Sequence, residues 1–167
     1  ICYELGVSTG TLIKKLALYN KHKPNIKWIG IDIEQSMVDK AKEKCKDIPN
    51  IELYCEDINL FDYQKSDFIV AYYTIQFVPP RLRQEIFNKV YQTLNWGGGF
   101  VLFEKVRGPD ARFQDMVTSI YTDYKLRQGF SSEEIINKSQ SLKGVLEPFS
   151  TLGNLGLLQR AGFVDIM

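Results

Sequence analysis

The chain has 167 residues, enough for one domain with a sizeable buried core, and its 44% hydrophobic and 25% charged content is that of a water-soluble globular protein. No apolar run approaches the roughly 20 residues that span a bilayer, and a net charge of +1 gives no general attraction to nucleic acid. Three cysteines, Cys2, Cys45 and Cys55, form no C-x-x-C pair, so neither a disulfide framework nor a metal site is expected, and a reducing, cytoplasmic setting is.

The chain opens on Ile1-Cys2-Tyr3-Glu4-Leu5, a strand-like apolar run that breaks into Gly6-Val7-Ser8-Thr9-Gly10 and then enters a helix over Thr11 to Asn20. Gly6 permits a tight turn, Ser8 lets backbone approach a ligand, and Gly10 lets the helix pack close to a sheet. The spacing is G-x-S-x-G rather than the dinucleotide fingerprint G-x-G-x-x-G. A second strand, Lys27 to Asp32, ends in an acid about twenty residues after the turn, where a carboxylate can accept both hydroxyls of a ribose. A helix follows over Gln35 to Cys45, then a third strand, Ile51 to Cys55, ending in Glu56-Asp57. Acids at two successive strand tips favour S-adenosylmethionine over NAD, which needs only the first.

Further strands are predicted over Asp67 to Tyr72 and Gly99 to Glu104, separated by a helix over Arg81 to Leu94 after the Pro79-Pro80 stop. Asn95-Trp96-Gly97-Gly98-Gly99 reads as a turn. The alternation of strand and helix implies a doubly wound, mostly parallel α/β sheet covered on both faces. From Pro109 to Ala161 the pattern becomes consecutively helical, a cap over about residues 109–161. Because the chain starts inside a strand and stops as another begins at Phe163, it reads as one domain, 1–167, lacking segments at both ends.

Thr74-Ile75-Gln76-Phe77-Val78-Pro79, Leu94-Asn95 with Gly97-Gly98, Glu104-Lys105, and Asp123-Tyr124-Lys125 with Gly129-Phe130-Ser131 resemble the carboxy-S-adenosylmethionine synthase family. That resemblance implies a class I methyltransferase (Rossmann-like) fold and S-adenosylmethionine, or its carboxylated form, as cofactor. It also implies prephenate-driven carboxylation of the cofactor's methyl group, with a product used in modifying the wobble uridine of tRNA. By the same resemblance Gly6, Val7 and Ser8 form the cofactor loop, Asp32 and Ile33 meet the ribose, Asp57 and Ile58 meet the adenine, and Tyr72 lies near the cofactor. A homodimer is the assembly it suggests, with a small-molecule substrate.

Three positions depart from the family. Ser139 stands where the family has an Arg that crosses a dimer interface to pair with the product carboxylate; Lys138 is adjacent. Tyr72 and Ile33 each stand where the family has Asn. A hydroxyl cannot balance a buried carboxylate, so the sequence is read first as a methyl transferase without an obligatory catalytic residue. Carboxylation is the alternative, and a non-catalytic, cofactor-binding dimer partner a further one. His22 lies in a basic loop, Lys40, Lys42, Lys44 and Lys46 read as a solvated helix face, and Arg107, Lys125 and Arg127 could draw in an anion. Tyr72 and Tyr73 hold the best position to line a pocket.

Overall fold

The computed structural model describes residues 1–23 and 25–167. Five parallel strands form a single sheet in the order β3-β2-β1-β4-β5. The strands are β1 (Cys2–Leu5), β2 (Trp28–Asp32), β3 (Ile51–Cys55), β4 (Ser66–Tyr72) and β5 (Leu94–Phe103); the helices are α1 (Thr11–Tyr19), α2 (Gln35–Cys45), α3 (Pro80–Thr93), α4 (Ala111–Arg127), α5 (Ser132–Ser141) and α6 (Thr151–Ala161). This is the expected doubly wound α/β architecture.

All four residues of β1 are buried, as a strand covered on both faces requires. On one face Ile13 and Ala17 of α1 and Cys45 of α2 pack with Cys2, Val7 and Trp28. On the other, Ile86, Phe87 and Val90 of α3 and Leu157 of α6 pack with Tyr3, Leu5, Ile31 and Ile69. Gly30 of β2 allows this spacing: a Cβ there would lie 2.7 Å from Val7 Cγ2 and 2.8 Å from Leu53 Cδ2.

Local chemistry sets the helix boundaries. Pro80 occupies the first turn of α3, where a missing amide hydrogen costs nothing. Ser131 and Glu134 form a reciprocal capping box on α5. Gly162, at φ 117°, ends α6 in the left-handed conformation.

Three expectations need correction. The Asn95–Gly99 turn is an irregularity inside β5: Leu94 already pairs with Ser66, and the ladder resumes at Gly99 opposite Phe68, leaving Trp96 fully exposed. The helical cap divides, because α6 returns to the sheet's flank with Leu157 buried, whereas α4 and α5 bury no residue. No strand begins at Phe163 among the described residues; its ring instead packs 5.1 Å from Tyr91 and 6.0 Å from Phe100. No helix among the described residues is long and apolar enough to cross a membrane.

Candidate functional site

At the C-terminal ends of the strands, where the order reverses between β1 and β4, lies a cleft of about 650 Å³. Open α/β sheets bind ligands at such switch points. Gly6, Ser8, Asp32, Ile33, Asp57, Ile58 and Tyr72 all line it, so residues from four separate strand tips converge on one cleft. Val7 does not. Its side chain is buried against the α1 and α2 face, and its amide donates to Ile31 O at 2.9 Å, because the turn at Gly6 directs the next residue into the core.

The turn itself is built around Asp32. Ser8 has φ 48°, an uncommon conformation for a residue with a side chain. Its amide donates to Asp32 Oδ2 at 2.7 Å, while Glu34 N donates to Asp32 Oδ1 at 3.0 Å. A carboxylate offers about four acceptor sites, so Asp32 braces the loop and keeps capacity for a ligand hydroxyl. Asp57 is similarly engaged, accepting from Asn59 N at 2.8 Å. Beside it, the Asn59 side-chain oxygen is buried with no partner, a group that calls for a donor.

The wall opposite comes from the tip of β4 and the segment after it, of which the sequence marks only Tyr72 and Tyr73 as pocket-lining. Tyr73, Thr74, Phe77, Val78 and Leu82 join Tyr72 along it. A buried network holds this segment. Glu104 Oε1 accepts from Ile75 N at 2.9 Å and Oε2 from Gln76 N at 2.8 Å. Burial pushes the Glu104 carboxyl up, and those two amides pull it back. Arg83, 1% exposed, donates to Val78 O and Gln76 O, and stacks 4.5 Å from the centre of the Phe149 ring. The signal for this network was present in Gln76 and Glu104, polar residues beside strand tips, but neither advertises a backbone partner.

Beneath the loop, Glu4 of β1 is 3% exposed, and its Oε2 has no partner. Burial raises its carboxyl to about 8, opposed by a hydrogen bond from the Ile13 amide. Burial thus biases Glu4 toward its protonated form, packed under the first turn of α1.

Charge discriminates among ligands. The lining carries Asp32, Glu34 and Asp57, and no Lys, Arg or His among the described residues. A dinucleotide pyrophosphate would find no counter-charge here, whereas a sulfonium nucleoside with two positive centres and one carboxylate would be favoured. His22, Arg107, Lys125, Arg127 and the Lys40 to Lys46 series are absent from the lining, and all but the half-buried Lys125 are exposed. Among the described residues no cluster of His, Cys, Asp and Glu is arranged to hold a metal ion, and the three cysteines are free.

Residues 3–98 match a family model described as a methyltransferase domain. The cyclopropane synthase MmaA2 from Mycobacterium tuberculosis shares the fold, with a TM-score of 0.73 at 11% identity over 99% of this chain and 55% of that one. Fold and cleft thus define an S-adenosylmethionine-dependent transferase of the class I methyltransferase superfamily. The carboxy-S-adenosyl-L-methionine synthase of Staphylococcus epidermidis is 39% identical over 164 residues, covering 98% of this chain and 71% of its own length. That of Campylobacter lari is 37% identical over 164 residues, covering 98% and 68%. The chain belongs to the carboxy-S-adenosyl-L-methionine synthase family.

Proposed function

We propose that this chain carboxylates the sulfonium methyl group of S-adenosylmethionine, giving carboxy-S-adenosylmethionine. The observation that carries this reading is where the likeness extends. The general methyltransferase model stops at residue 98, while the named synthases match 98% of the chain and so run on through α4 and α5. The cofactor supplies a methyl group activated by the adjacent sulfonium. The protein's own part is alignment of the reacting groups in the cleft. Asp32 takes the ribose hydroxyls, Asp57 and Asn59 lie at the adenine edge, and the Gly6 turn faces the amino-acid portion. In this reading prephenate is the carboxyl donor: its ring C–COO− bond breaks as the ring loses hydroxide and aromatises to phenylpyruvate. The sulfonium methyl gives up a proton that leaves with that hydroxide as water, and the released carbon dioxide bonds to the methyl carbon. The product then serves tRNA wobble-uridine modification. Nucleic acid need not then touch this chain.

The same reading includes a homodimer. Along α4, Phe113, Met116, Val117, Ile120, Tyr121 and Tyr124 are all exposed, between 42% and 65%. An apolar helix face of this extent is characteristic of an interface. By the resemblance, a second copy seated there would carry its own α5 to the first copy's cleft, where Ser139 stands in the place of the family's Arg and Lys138 is its neighbour in sequence. No α4 or α5 residue of the same chain lines that cleft.

One observation favours a second reading, methyl transfer to a separate acceptor. Ser139 is neutral and exposed, and the cleft lining holds no cation to pair with an added carboxylate. Mass spectrometry of the adenosyl ligand retained through purification separates the two. Carboxy-S-adenosylmethionine supports the first reading, and unmodified S-adenosylmethionine alone supports the second.

A further inference from the structure

We infer that the aromatic cluster at the tip of β4, centred on Tyr72, is a recognition site for the positive charge of the sulfonium. This deepens the cofactor reading above and rests on it. Three rings meet there. Tyr72 lies 4.7 Å from Tyr73 at an interplanar angle of 73°, and 5.3 Å from Phe103 at 63°. Such edge contacts fix the orientation of Tyr72, while all three rings stay about half exposed. Tyr72 and Tyr73 line the cleft, with Phe103 buttressing Tyr72. Exposed aromatics fixed in this way are suited to a cation lacking hydrogen-bond donors, the task aromatic cages perform for quaternary ammonium groups.

The sheet order places the cluster where the sulfonium belongs. Acids at the tips of β3 and β2 take the adenosine half, and the next strands in the ladder are β1 and β4. A ligand extended across the tips therefore carries its sulfur past Asp32 toward Gly6 and Tyr72. No basic side chain lines that end of the cleft, and Tyr72 supplies attraction for a cation without introducing a further carboxylate.

The protein also holds the cluster under backbone strain. Tyr73 has φ 56°, which a bulky aromatic residue seldom adopts. It is held there by its amide donating to Phe103 O at 2.8 Å and its carbonyl accepting from Gln76 Nε2 at 3.3 Å. That turn brings the Tyr73 ring against Tyr72 instead of letting it continue the strand alternation.

The test is calorimetric binding of S-adenosylmethionine and its neutral thioether, S-adenosylhomocysteine, to the natural protein, Tyr72→Phe and Tyr72→Leu, with thermal melts to verify folding. The natural protein and Tyr72→Phe should both prefer the sulfonium. Tyr72→Leu should lose about three- to tenfold of that preference, with thioether affinity little changed. An equal loss for both ligands, or an unmoved ratio, would overturn the charge-recognition role and leave the cofactor reading standing. If neither ligand bound the natural protein, both would fall.

Discussion

Gly6 and Thr74 lie so close that no side chain fits between them: a Cβ on Gly6 would sit 2.3 Å from Thr74 Oγ1. Thr74 is itself fixed, its hydroxyl donating to Leu5 O at 2.8 Å. The loop after β1 and the segment after β4 are thus locked together where they meet at the cleft. Gly6 also has φ 73°, so any other residue bears backbone strain of about 1–2 kcal/mol before the overlap is counted. Gly6→Ala should melt well below the natural protein and bind S-adenosylhomocysteine at least tenfold more weakly. Adding Thr74→Ala should recover part of the stability, and lack of any recovery in thermal melts would show that the contact does not govern the loop.

Asp32 has two duties, and its removal should show both. Asp32→Ala takes away charge-assisted bonds to the Ser8 and Glu34 amides as well as those to a ribose, each worth about 1.5–3 kcal/mol. Calorimetry should show S-adenosylhomocysteine binding weakened tenfold or more, and melting should fall as well. Retained affinity in a folded variant would remove Asp32 from the site.

The pH dependence of stability should carry the mark of Glu4. Its carboxyl sits at about 8 in the folded chain against an ordinary value of 4.5. Between those values the folded state holds a proton that the unfolded state has released, so stability falls as pH rises through this window and levels off above it. Below the window both states are protonated and the full stability is present. The drop attributable to Glu4 is roughly 3–5 kcal/mol. Glu104 is displaced in the same direction, so the comparison to make is between the natural protein and Glu4→Gln. Denaturant unfolding from pH 5 to 9 should show a steep decline in the first and a shallower one in the second; parallel curves would contradict the assignment.

If α4 is a dimer face, a charge at its centre should split the dimer. Ile120 is 65% exposed in the single chain, and Ile120→Glu should leave a folded monomer by sedimentation while the natural protein sediments as a dimer. Identical sedimentation as a monomer would remove the partner's α5 from the proposed site.

Much of this fold is legible in the sequence because the relevant signals are local. Apolar runs ending in Gly6, Asp32 and Asp57 mark three strand tips, and Pro79-Pro80 starts α3 one residue before the expected Arg81. What escapes depends on contacts made elsewhere. The glycine run 97–99 signals a turn, but whether Leu94 already pairs with Ser66 is decided by β4. The apolar pattern of α6 cannot say which layer it joins, since Leu157 could face a cap or the sheet. Val7 is buried because Gly30, on another strand, leaves room for it. The left-handed turn at Tyr73 is hidden most deeply, because an aromatic residue is the last expected to adopt it and only Gln76 and Phe103 hold it there.

The most direct measurement is turnover of S-adenosylmethionine with prephenate labelled isotopically in its carboxyl groups, followed by mass spectrometry of the adenosyl product. Carboxylation predicts labelled carboxy-S-adenosylmethionine, formed by the natural protein and lost in Gly6→Val. Unchanged S-adenosylmethionine with prephenate intact, together with S-adenosylhomocysteine appearing only when a methyl acceptor is supplied, would contradict carboxylation and leave methyl transfer as the activity.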